Sequence, residues 1–308
     1  MNAPTGVNAP HQTDRAWVVL GLAAVTSTLT GPGQTIGVAV FIDHFVDDLH
    51  LTRAQVSGAY LVGTLIGATL LPAVGRFIDR SGVRRAQLLI GLLFGLALVN
   101  MSFVNGLIWL TIGFTGIRFL GQGSLSLVAT VTVSLSFVRN RGTALGIFST
   151  ASSALMATVP VALAVAIASF GWRSTWLLAA AVVTVVVVPI AWFGLRGLPT
   201  GTSKRRTIGD VDAQSGAVGS RVLHSHDSAE AMRTRSFWVL ACITSTAGML
   251  GTALNFHQID LLGEAGISRT AAAALFIPQV VGATLAGVSV GYIGDRVGVR
   301  YLPAAGMA

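Results

Sequence analysis

Long apolar runs separated by short polar segments dominate the chain. A helix needs about 20 apolar residues to cross the roughly 30 Å hydrocarbon core of a bilayer. Eight runs reach that length, at residues 16–39, 54–74, 86–104, 108–137, 142–170, 174–194, 237–259 and 270–294. Lipid offers no partner to backbone N–H and C=O groups, so each run is predicted to be a transmembrane helix. The expected fold class is an all-α membrane protein, built as a helix bundle.

The composition excludes several other classes. Of the 308 residues, 53% are hydrophobic and only 10% are charged, against about 25% charged in soluble domains. The net charge of +8 is spread in short clusters between apolar runs, which argues against a nucleic-acid partner. A single cysteine, Cys242, allows no intrachain disulfide. The spans show no His–Glu metal cluster and no serine–base pair, so neither an enzyme, a cofactor nor a metal site is expected.

Basic residues predict how the chain threads the membrane. With the N-terminus in the cytoplasm, 16 of the 20 Arg and Lys residues fall in cytoplasmic segments, three fall outside and one, Arg118, lies within a span. Cytoplasmic loops of membrane proteins carry such an excess. A multi-pass protein of the inner cell membrane with a cytoplasmic N-terminus is therefore expected.

The order of runs and polar segments predicts four regions. Residues 1–15 are polar and are expected to be a disordered cytoplasmic N-terminus. Residues 16–197 form a six-helix bundle. Residues 198–235 are rich in Gly, Ser, Thr, Asp, His and Arg, and predict a cytoplasmic linker. Residues 236–308 form part of a second bundle, with two helices and the start of a third.

A charged motif marked by glycines occurs twice. The segment that begins at Gly75 (GRFIDRSGVR) and the segment that begins at Gly291 (GYIGDRVGVR) agree at six of ten positions. Such wide spacing does not fit a solenoid repeat. It indicates two related halves, each built from several helices.

The motif predicts an ionic latch between helix ends. Glycines suit a tight turn, and an aspartate among arginines accepts charge-assisted hydrogen bonds. Such a latch holds two bundles together in one state and releases them in another. The alternative is that the arginines only set the topology. The latch residues are Gly75, Asp79, Arg80, Gly82 and Arg84 in the first copy, and Gly291, Asp295, Arg296 and Gly298 in the second.

Arg118 is a candidate receptor for an anion. Charges inside a membrane are costly and usually face a cavity, and Gln122 lies one turn further along the same helix face. A guanidinium grips a carboxylate through two hydrogen bonds. No Asp or Glu lies deep in any of the eight spans, which argues against a cationic substrate. The alternative is that Arg118 braces the bundle.

Two further polar clusters are candidate cavity residues. Gly31-Pro32-Gly33 breaks regular helix in the outer half of the first span, so Gln34 and Thr35 are expected to face a cavity or to mark a packing kink. Asn255 and His257 lie near the outer end of the seventh span. His257 is either a proton-coupling residue or an interfacial histidine bonded to a neighbour.

These motifs resemble the major facilitator superfamily. The superfamily signature between the second and third helices is matched at Gly75, Asp79, Arg80, Gly82 and Arg84, with Phe77 and Val83 as departures. A second signature resembles Arg118-Phe119-Leu120-Gly121-Gln122-Gly123. "GPGQTIGVAVFIDHF" and "ALNFHQIDLLGEAGIS" are similar to the bacterial monocarboxylate-porter and oxalate/formate-antiporter branch.

The resemblance implies a secondary active transporter. Its expected substrate is a small organic anion, a monocarboxylate or dicarboxylate, moved by proton symport or anion exchange. Members have twelve helices, so the resemblance implies a chain truncated after the eighth. Two alternatives stay open: efflux of a drug or another small molecule, and a truncated fragment that does not transport. The expected partners are the lipid bilayer, the substrate and a coupling proton.

Overall fold

The computed structural model describes residues 10–137, 141–196, 198, 233–279, 281, 282 and 285. Every regular element within these residues is helical, as predicted. Six helices of this part of the chain are long and apolar enough to cross a membrane. They are Arg53–Ser81, Val83–Ser102, Leu107–Ser136, Gly142–Phe170, Trp172–Gly194 and Phe237–Glu264.

Fifteen helical elements follow one another along the described residues. They are α1 (Pro10–Thr28), a 3₁₀ turn (Gly31–Gly33), α2 (Thr35–Ala39), α3 (Ile42–Leu49), α4 (Arg53–Ser81), α5 (Val83–Ser102), α6 (Leu107–Ile117), the π-helical segment π1 (Arg118–Leu125), α7 (Ser126–Ser136), α8 (Arg141–Met156), α9 (Val159–Phe170), α10 (Trp172–Pro189), the π-helical segment π2 (Ile190–Gly194), α11 (Arg235–Glu264) and α12 (Arg269–Ala274).

The first span is a broken helix. Helix α1 ends at Thr28, the Gly31–Gly33 turn follows, and α2 starts afresh at Thr35. The break lies at the triplet where the sequence predicts it, because Pro32 has no N–H to continue the ladder. Helix α1 begins at Pro10, so residues 10–15 are helical and the expectation of disorder is wrong there. Proline is well tolerated in the first turn of a helix, which explains the early start.

Other spans differ from the predicted limits at their ends. Helix α4 continues from the membrane through most of the first charged motif to Ser81. The fifth span divides into α8 and α9 just before Pro160. Only the start of the eighth span, Thr270–Gln279, is described as an apolar helix. Most of the linker 198–235 and the end of the eighth span lie outside the described residues.

Glycines let the membrane helices approach closely. A Cβ added at Gly63 would lie 2.8 Å from the backbone nitrogen of Thr115 on α6, and one at Gly67 would lie 3.2 Å from the backbone nitrogen of Phe119 on π1. Membrane helices gain little from burying apolar surface, since lipid is equally apolar, and close backbone packing takes its place. The small residues of α4 therefore hold it against the fourth span.

Contacting aromatic rings fill the end of the bundle that contains Trp172. Phe41 stacks on Trp176 with centroids 4.2 Å apart, and Phe45 meets Phe114 and Trp172 edge to face at 5.8 Å and 5.4 Å. Phe41, Phe45, Phe114 and Trp176 are completely buried. Aromatic pairs of this geometry each add about 0.5–1.5 kcal/mol beyond the area they bury. The cluster joins α3 and the residues before it to the fourth and sixth spans.

Segments predicted to share a side of the membrane lie at the same end of the bundle. At one end, Trp172 Nε1 donates to Asp48 at 2.6 Å, and Arg173 Nη1 donates to the carbonyls of Ser102 and Val104, each at 2.9 Å. We call this the outer end.

The opposite end joins the remaining segments in the same way. Arg15 donates to the carbonyl of Arg196, and Arg84 lies 4.8 Å from the centre of the Trp192 ring. The alternation of ends is as the arginine pattern predicts. Which end faces the cytoplasm stays a prediction.

The residues after the linker pack on the first bundle near the outer end. Helix α11 lies against α2, and α12 lies against α9. Phe256, Ile259 and Phe276 are buried at these contacts, with 5%, 7% and 1% of their surfaces exposed. Helix α11 therefore contributes residues to the neighbourhood of the broken first span.

Candidate anion-binding site

Arg118 lies at the point where the fourth span changes from α6 to π1. Only 7% of its surface is exposed. Its Nε donates to the Thr64 hydroxyl at 3.0 Å, and Nη1 donates to the Thr35 hydroxyl at 3.4 Å. Residues from the first, second and fourth spans thus meet at one guanidinium.

Tyr60 completes this cluster, which we call the Arg118 site (Thr35, Tyr60, Thr64 and Arg118). Its hydroxyl donates to the Thr35 hydroxyl at 2.8 Å. The guanidinium carbon of Arg118 lies 4.7 Å from the centre of the Tyr60 ring, a cation–π contact. Tyr60 and Thr64 are four residues apart on α4, so both side chains lie on the helix face toward the fourth span.

The Arg118 charge has no anionic partner in the described part of the chain. The salt bridges found there join Arg53 to Asp43 and to Asp260. The threonine hydroxyls use two of the five N–H hydrogens of the guanidinium. Neutral hydroxyls and a ring orient a cation but do not neutralise it, and a buried charge without a counter-charge is costly.

Close packing sets the position of Arg118. A Cβ added at Gly33 would lie 2.6 Å from the Ile117 carbonyl oxygen, so the broken first span touches the backbone just before Arg118. A Cβ added at Gly121 would lie 2.5 Å from Phe94 on α5. The intervening turn is π-helical, a form that occurs frequently at functional sites. The backbone on both sides of Arg118 is therefore closely packed against the first and third spans.

The glutamines predicted beside the site have different surroundings. Gln122 lies in π1, one turn from Arg118, and its Oε1 is buried without a hydrogen-bond partner in the described residues. Gln34 donates from Nε2 to the Thr30 hydroxyl at 2.9 Å, within its own segment. Thr35 is thus joined to the Arg118 cluster, whereas Gln34 bonds locally.

Helix α11 approaches the site through Phe256. The Phe256 ring lies 4.6 Å from the Tyr60 ring, and His257 meets Phe256 edge to face at 5.3 Å. Asn255 and His257 are both partly buried, and neither donates to or accepts from the Arg118 site among the described residues. Phe256, which lies between the two predicted residues, makes the contact.

The first copy of the charged motif forms a one-residue turn. Gly82 has φ +80° and ψ 156° between α4 and α5, a conformation that favours glycine. Gly75 lies within α4, and a Cβ there would meet no described atom within 4 Å. Asp79 and Arg80 are exposed, and Arg84 stacks over Trp192. The second copy, with Gly291, Asp295, Arg296 and Gly298, lies outside the described residues, and the latch stays a prediction.

Three residues that the sequence did not single out contribute to the site. In the sequence, Tyr60 and Thr64 lie within an apolar span, and Phe256 is the apolar neighbour of two polar residues, Asn255 and His257. The spacing of Tyr60 and Thr64, four residues apart and interleaved with Gly63 and Gly67, is a signal for a polar edge on a closely packed face. No comparable signal marks Phe256.

Similarity to solved structures is high over nearly the whole chain. A bacterial homolog of the human lysosomal transporter Spinster, in an inward-facing and unoccupied conformation, matches with a TM-score of 0.71 and 19% identity. The match covers 95% of this chain and 64% of that one. The inward-facing and occupied form matches with a TM-score of 0.69 and 18% identity, covering 96% of this chain and 63% of that one. At these identities the likeness shows the fold.

Sequence comparison identifies the family. Human monocarboxylate transporter 14 is 28% identical over 152 residues, which are 49% of this chain and 29% of that protein. The chain thus spans less than a third of this relative and less than two thirds of the Spinster homolog. The family model of the Major Facilitator Superfamily matches residues 18–308. The chain therefore belongs to the Major Facilitator Superfamily of membrane transporters.

Proposed function

We propose that this protein is a secondary active transporter of a small organic anion, and that Arg118 binds the substrate carboxylate. The observation that carries the proposal is the buried Arg118 guanidinium, which meets two hydroxyls and a ring but no carboxylate of the described residues. A monocarboxylate or dicarboxylate supplies the missing negative charge. The guanidinium then makes charge-assisted hydrogen bonds with the carboxylate.

The surroundings of Arg118 favour a receptor over a brace. Inserting an arginine at mid-membrane costs roughly 2.5–3.5 kcal/mol on insertion scales. A purely structural role would recover more of that cost with a carboxylate partner. The two threonine bonds instead fix the guanidinium and leave other N–H hydrogens for a ligand. The partial match to human monocarboxylate transporter 14 agrees with an acidic substrate class.

Proton symport and anion exchange are the two coupling modes that we propose for the transport step. His257 is the candidate proton carrier, since histidine gains and loses a proton near neutral pH. It contacts Phe256, which contacts Tyr60 of the Arg118 site. The inner cell membrane, with the N-terminus in the cytoplasm, is the proposed location.

Equilibrium binding to the purified protein in lipid nanodiscs tests the receptor role. The ligands are acetate, oxalate and succinate, with tetraethylammonium as the cationic counterpart. We expect the carboxylates to bind and Arg118→Gln to weaken them about 10- to 150-fold, the equivalent of about 1.5–3 kcal/mol for hydrogen bonds to a charged group. Arg118→Lys should retain part of the affinity, since an ammonium cannot form the two-pronged contact. Binding is measured because it does not require a complete transport cycle.

The matched control is Arg233→Gln, which removes an exposed arginine outside the spans. It should leave carboxylate affinity unchanged. Equal carboxylate binding by the wild type and by Arg118→Gln would refute the receptor role. An Arg118→Gln protein that unfolds at a lower temperature but binds acetate normally would identify a brace instead.

An apolar cavity favours one alternative, efflux of a neutral or amphipathic compound. The cavity has a volume of about 230 Å³ and lies between the first, fifth and sixth spans. Its walls are almost entirely apolar and include Leu29, Pro32, Val159 and Leu163. Expression that raises drug resistance in cells without any carboxylate uptake would favour this alternative over the anion proposal.

A further inference from the structure

Tyr60 is held on several sides at the Arg118 site. Its ring meets Phe114 edge to face at 5.4 Å and Phe256 at 4.6 Å, and the Arg118 guanidinium carbon lies 4.7 Å from its centre. Its hydroxyl donates to Thr35 at 2.8 Å. Only 5% of the surface of Tyr60 is exposed. A ring restrained in this way acts as a fixed wall rather than a mobile side chain.

We propose that Tyr60 is a specificity-determining residue that restricts the Arg118 site to short, unbranched carboxylates, and that Phe256 positions it. The proposal rests on the proposed function, because it assumes that a carboxylate meets Arg118. It adds the size of the acid that the site accepts and the residue that sets it.

The restriction on the size of the acid follows from the parts of the Arg118 guanidinium that remain open to a ligand. Tyr60 lies over one face of the group, and the Thr64 and Thr35 hydroxyls take hydrogens at Nε and Nη1. Arg118 is 7% exposed, and we place the carboxylate at the guanidinium edge that these bonds leave open, beside the Tyr60 ring. In this arrangement the α-carbon of the bound acid lies against the Tyr60 ring, so a branched or ring-bearing α-carbon would collide with that ring.

Through Phe256, the part of the chain after the linker also packs against Tyr60. It lies on α11, after the linker, and is itself buried, with 5% exposed. Its ring lies 4.6 Å from the Tyr60 ring, which makes Phe256 a third neighbour of that ring beside Phe114 and Arg118. Among the described residues the guanidinium makes its cation–π contact with Tyr60 and not with Phe256, so Phe256 acts through Tyr60 and is a positioning residue.

The test compares acetate with benzoate and 2,2-dimethylpropanoate on the purified protein in nanodiscs. The readout is the ratio of their dissociation constants. A general loss of folded protein weakens the binding of all three acids alike and leaves this ratio unchanged. We expect the wild type to prefer acetate and Tyr60→Leu to reduce the preference by roughly 10-fold or more, the scale of discrimination by pocket size. Tyr60→Phe should keep the size preference, since the ring stays in place and the hydroxyl with its bond to Thr35 is what is lost.

Phe256→Leu should reduce the size preference in the same direction but by less. It also carries the test if Tyr60→Leu does not give folded protein. Phe103→Leu, which alters an aromatic residue that is 68% exposed, is the control and should leave the ratio unchanged. Acetate binding with the same ratio in the wild type and in the Tyr60→Leu and Phe256→Leu variants would overturn this inference alone. A wild type that binds none of the three acids would overturn this inference, and one that binds neither these acids nor oxalate or succinate would overturn the proposed function as well.

Discussion

Arg53 at the start of α4 forms an ion pair with Asp260 near the end of α11, with 2.7 Å between Nη2 and Oδ1. The same Nη2 lies 2.6 Å from Oδ1 of Asp43. One arginine therefore joins two acidic residues on opposite sides of the linker. Arg53 and Tyr60 lie seven residues apart on α4, and Phe256 and Asp260 lie four apart on α11, so the ion pair and the Tyr60–Phe256 contact lie along one seam.

Reversing the charge at Arg53 should open the outer end of this seam. Arg53→Glu places three carboxylates together, and like charges at this distance repel. The readout is the labelling rate of Ile259→Cys in a Cys242→Ser background. Ile259 lines a cavity of about 230 Å³ beside Asp43. We expect the rate to rise several-fold with a membrane-impermeant reagent added from the outer side.

The double variant Arg53→Glu/Asp260→Arg should bring the labelling rate back toward the original value, because the new arginine pairs with Glu at 53 and with Asp43. Asp47→Asn, an exposed acid of α3, is the control. Because 42% of the Arg53 side chain is exposed, the ion pair itself should add only about 0–1 kcal/mol to the free energy of unfolding. An unchanged labelling rate in Arg53→Glu would contradict this role for the seam.

Gly63 should tolerate no side chain. A Cβ there would lie 2.8 Å from the Thr115 backbone nitrogen and 3.0 Å from the Phe114 carbonyl carbon, and backbone cannot swing aside. We expect Gly63→Ala to lower the free energy of unfolding by about 1–3 kcal/mol, the usual cost of overpacking. It should also weaken acetate binding, since α4 carries Tyr60 and Thr64. Thermal unfolding in detergent measures the first effect and titration the second.

Gly58 on the same helix provides the matched control for that substitution. It has no described atom within 4 Å of an added Cβ. Gly58→Ala should be neutral or stabilising, because alanine is the better helix former by about 1 kcal/mol. A Gly63→Ala protein as stable as Gly58→Ala would show that α4 and the fourth span are less closely packed than the structure places them.

The fold was predictable because the bilayer limits the choices. Long apolar runs have to be helices in lipid, and the arginine pattern orders their ends, so the helical architecture follows from composition alone. The sequence also indicates Arg118 and Thr35. A charge within a span is unusual, which marks Arg118, and Thr35 closely follows a triplet that breaks the helix.

The remaining site residues depend on how helices cross. Tyr60 and Phe256 are 196 positions apart, and each reads in the sequence as one more apolar residue of a span. Their rings meet because α11 packs beside α2 and reaches α4. Periodicity shows which residues share a face of one helix but does not show which helix that face meets. The contact between Tyr60 and Phe256 could therefore not be predicted from the sequence.

Gly82 should be required for the tight turn after α4. Its φ of +80° and ψ of 156° are strained for any residue with a Cβ. We expect Gly82→Ala to lower the free energy of unfolding by about 1–3 kcal/mol. Gly75→Ala, in the same motif but within the helix and with open space around it, should raise stability slightly. Equal effects of the two substitutions, measured by thermal unfolding, would contradict the turn geometry.

Cysteine labelling in intact cells should place α3, just before α4, and the C-terminal end of α4 on opposite sides of the membrane. The helix has 29 residues, or about 43 Å at 1.5 Å per residue, which exceeds the thickness of the hydrocarbon core. In a Cys242→Ser background, Asp47→Cys should react with an impermeant reagent from outside. Ser81→Cys and Arg233→Cys should react only after the membrane is permeabilised, because the arginine-rich end should face the cytoplasm.

Reaction of Ser81→Cys but not Asp47→Cys from outside would reverse the orientation and leave the bundle intact. Reaction of both from outside would contradict a membrane-spanning α4, and with it the burial of Arg118 within the bilayer on which the anion site depends.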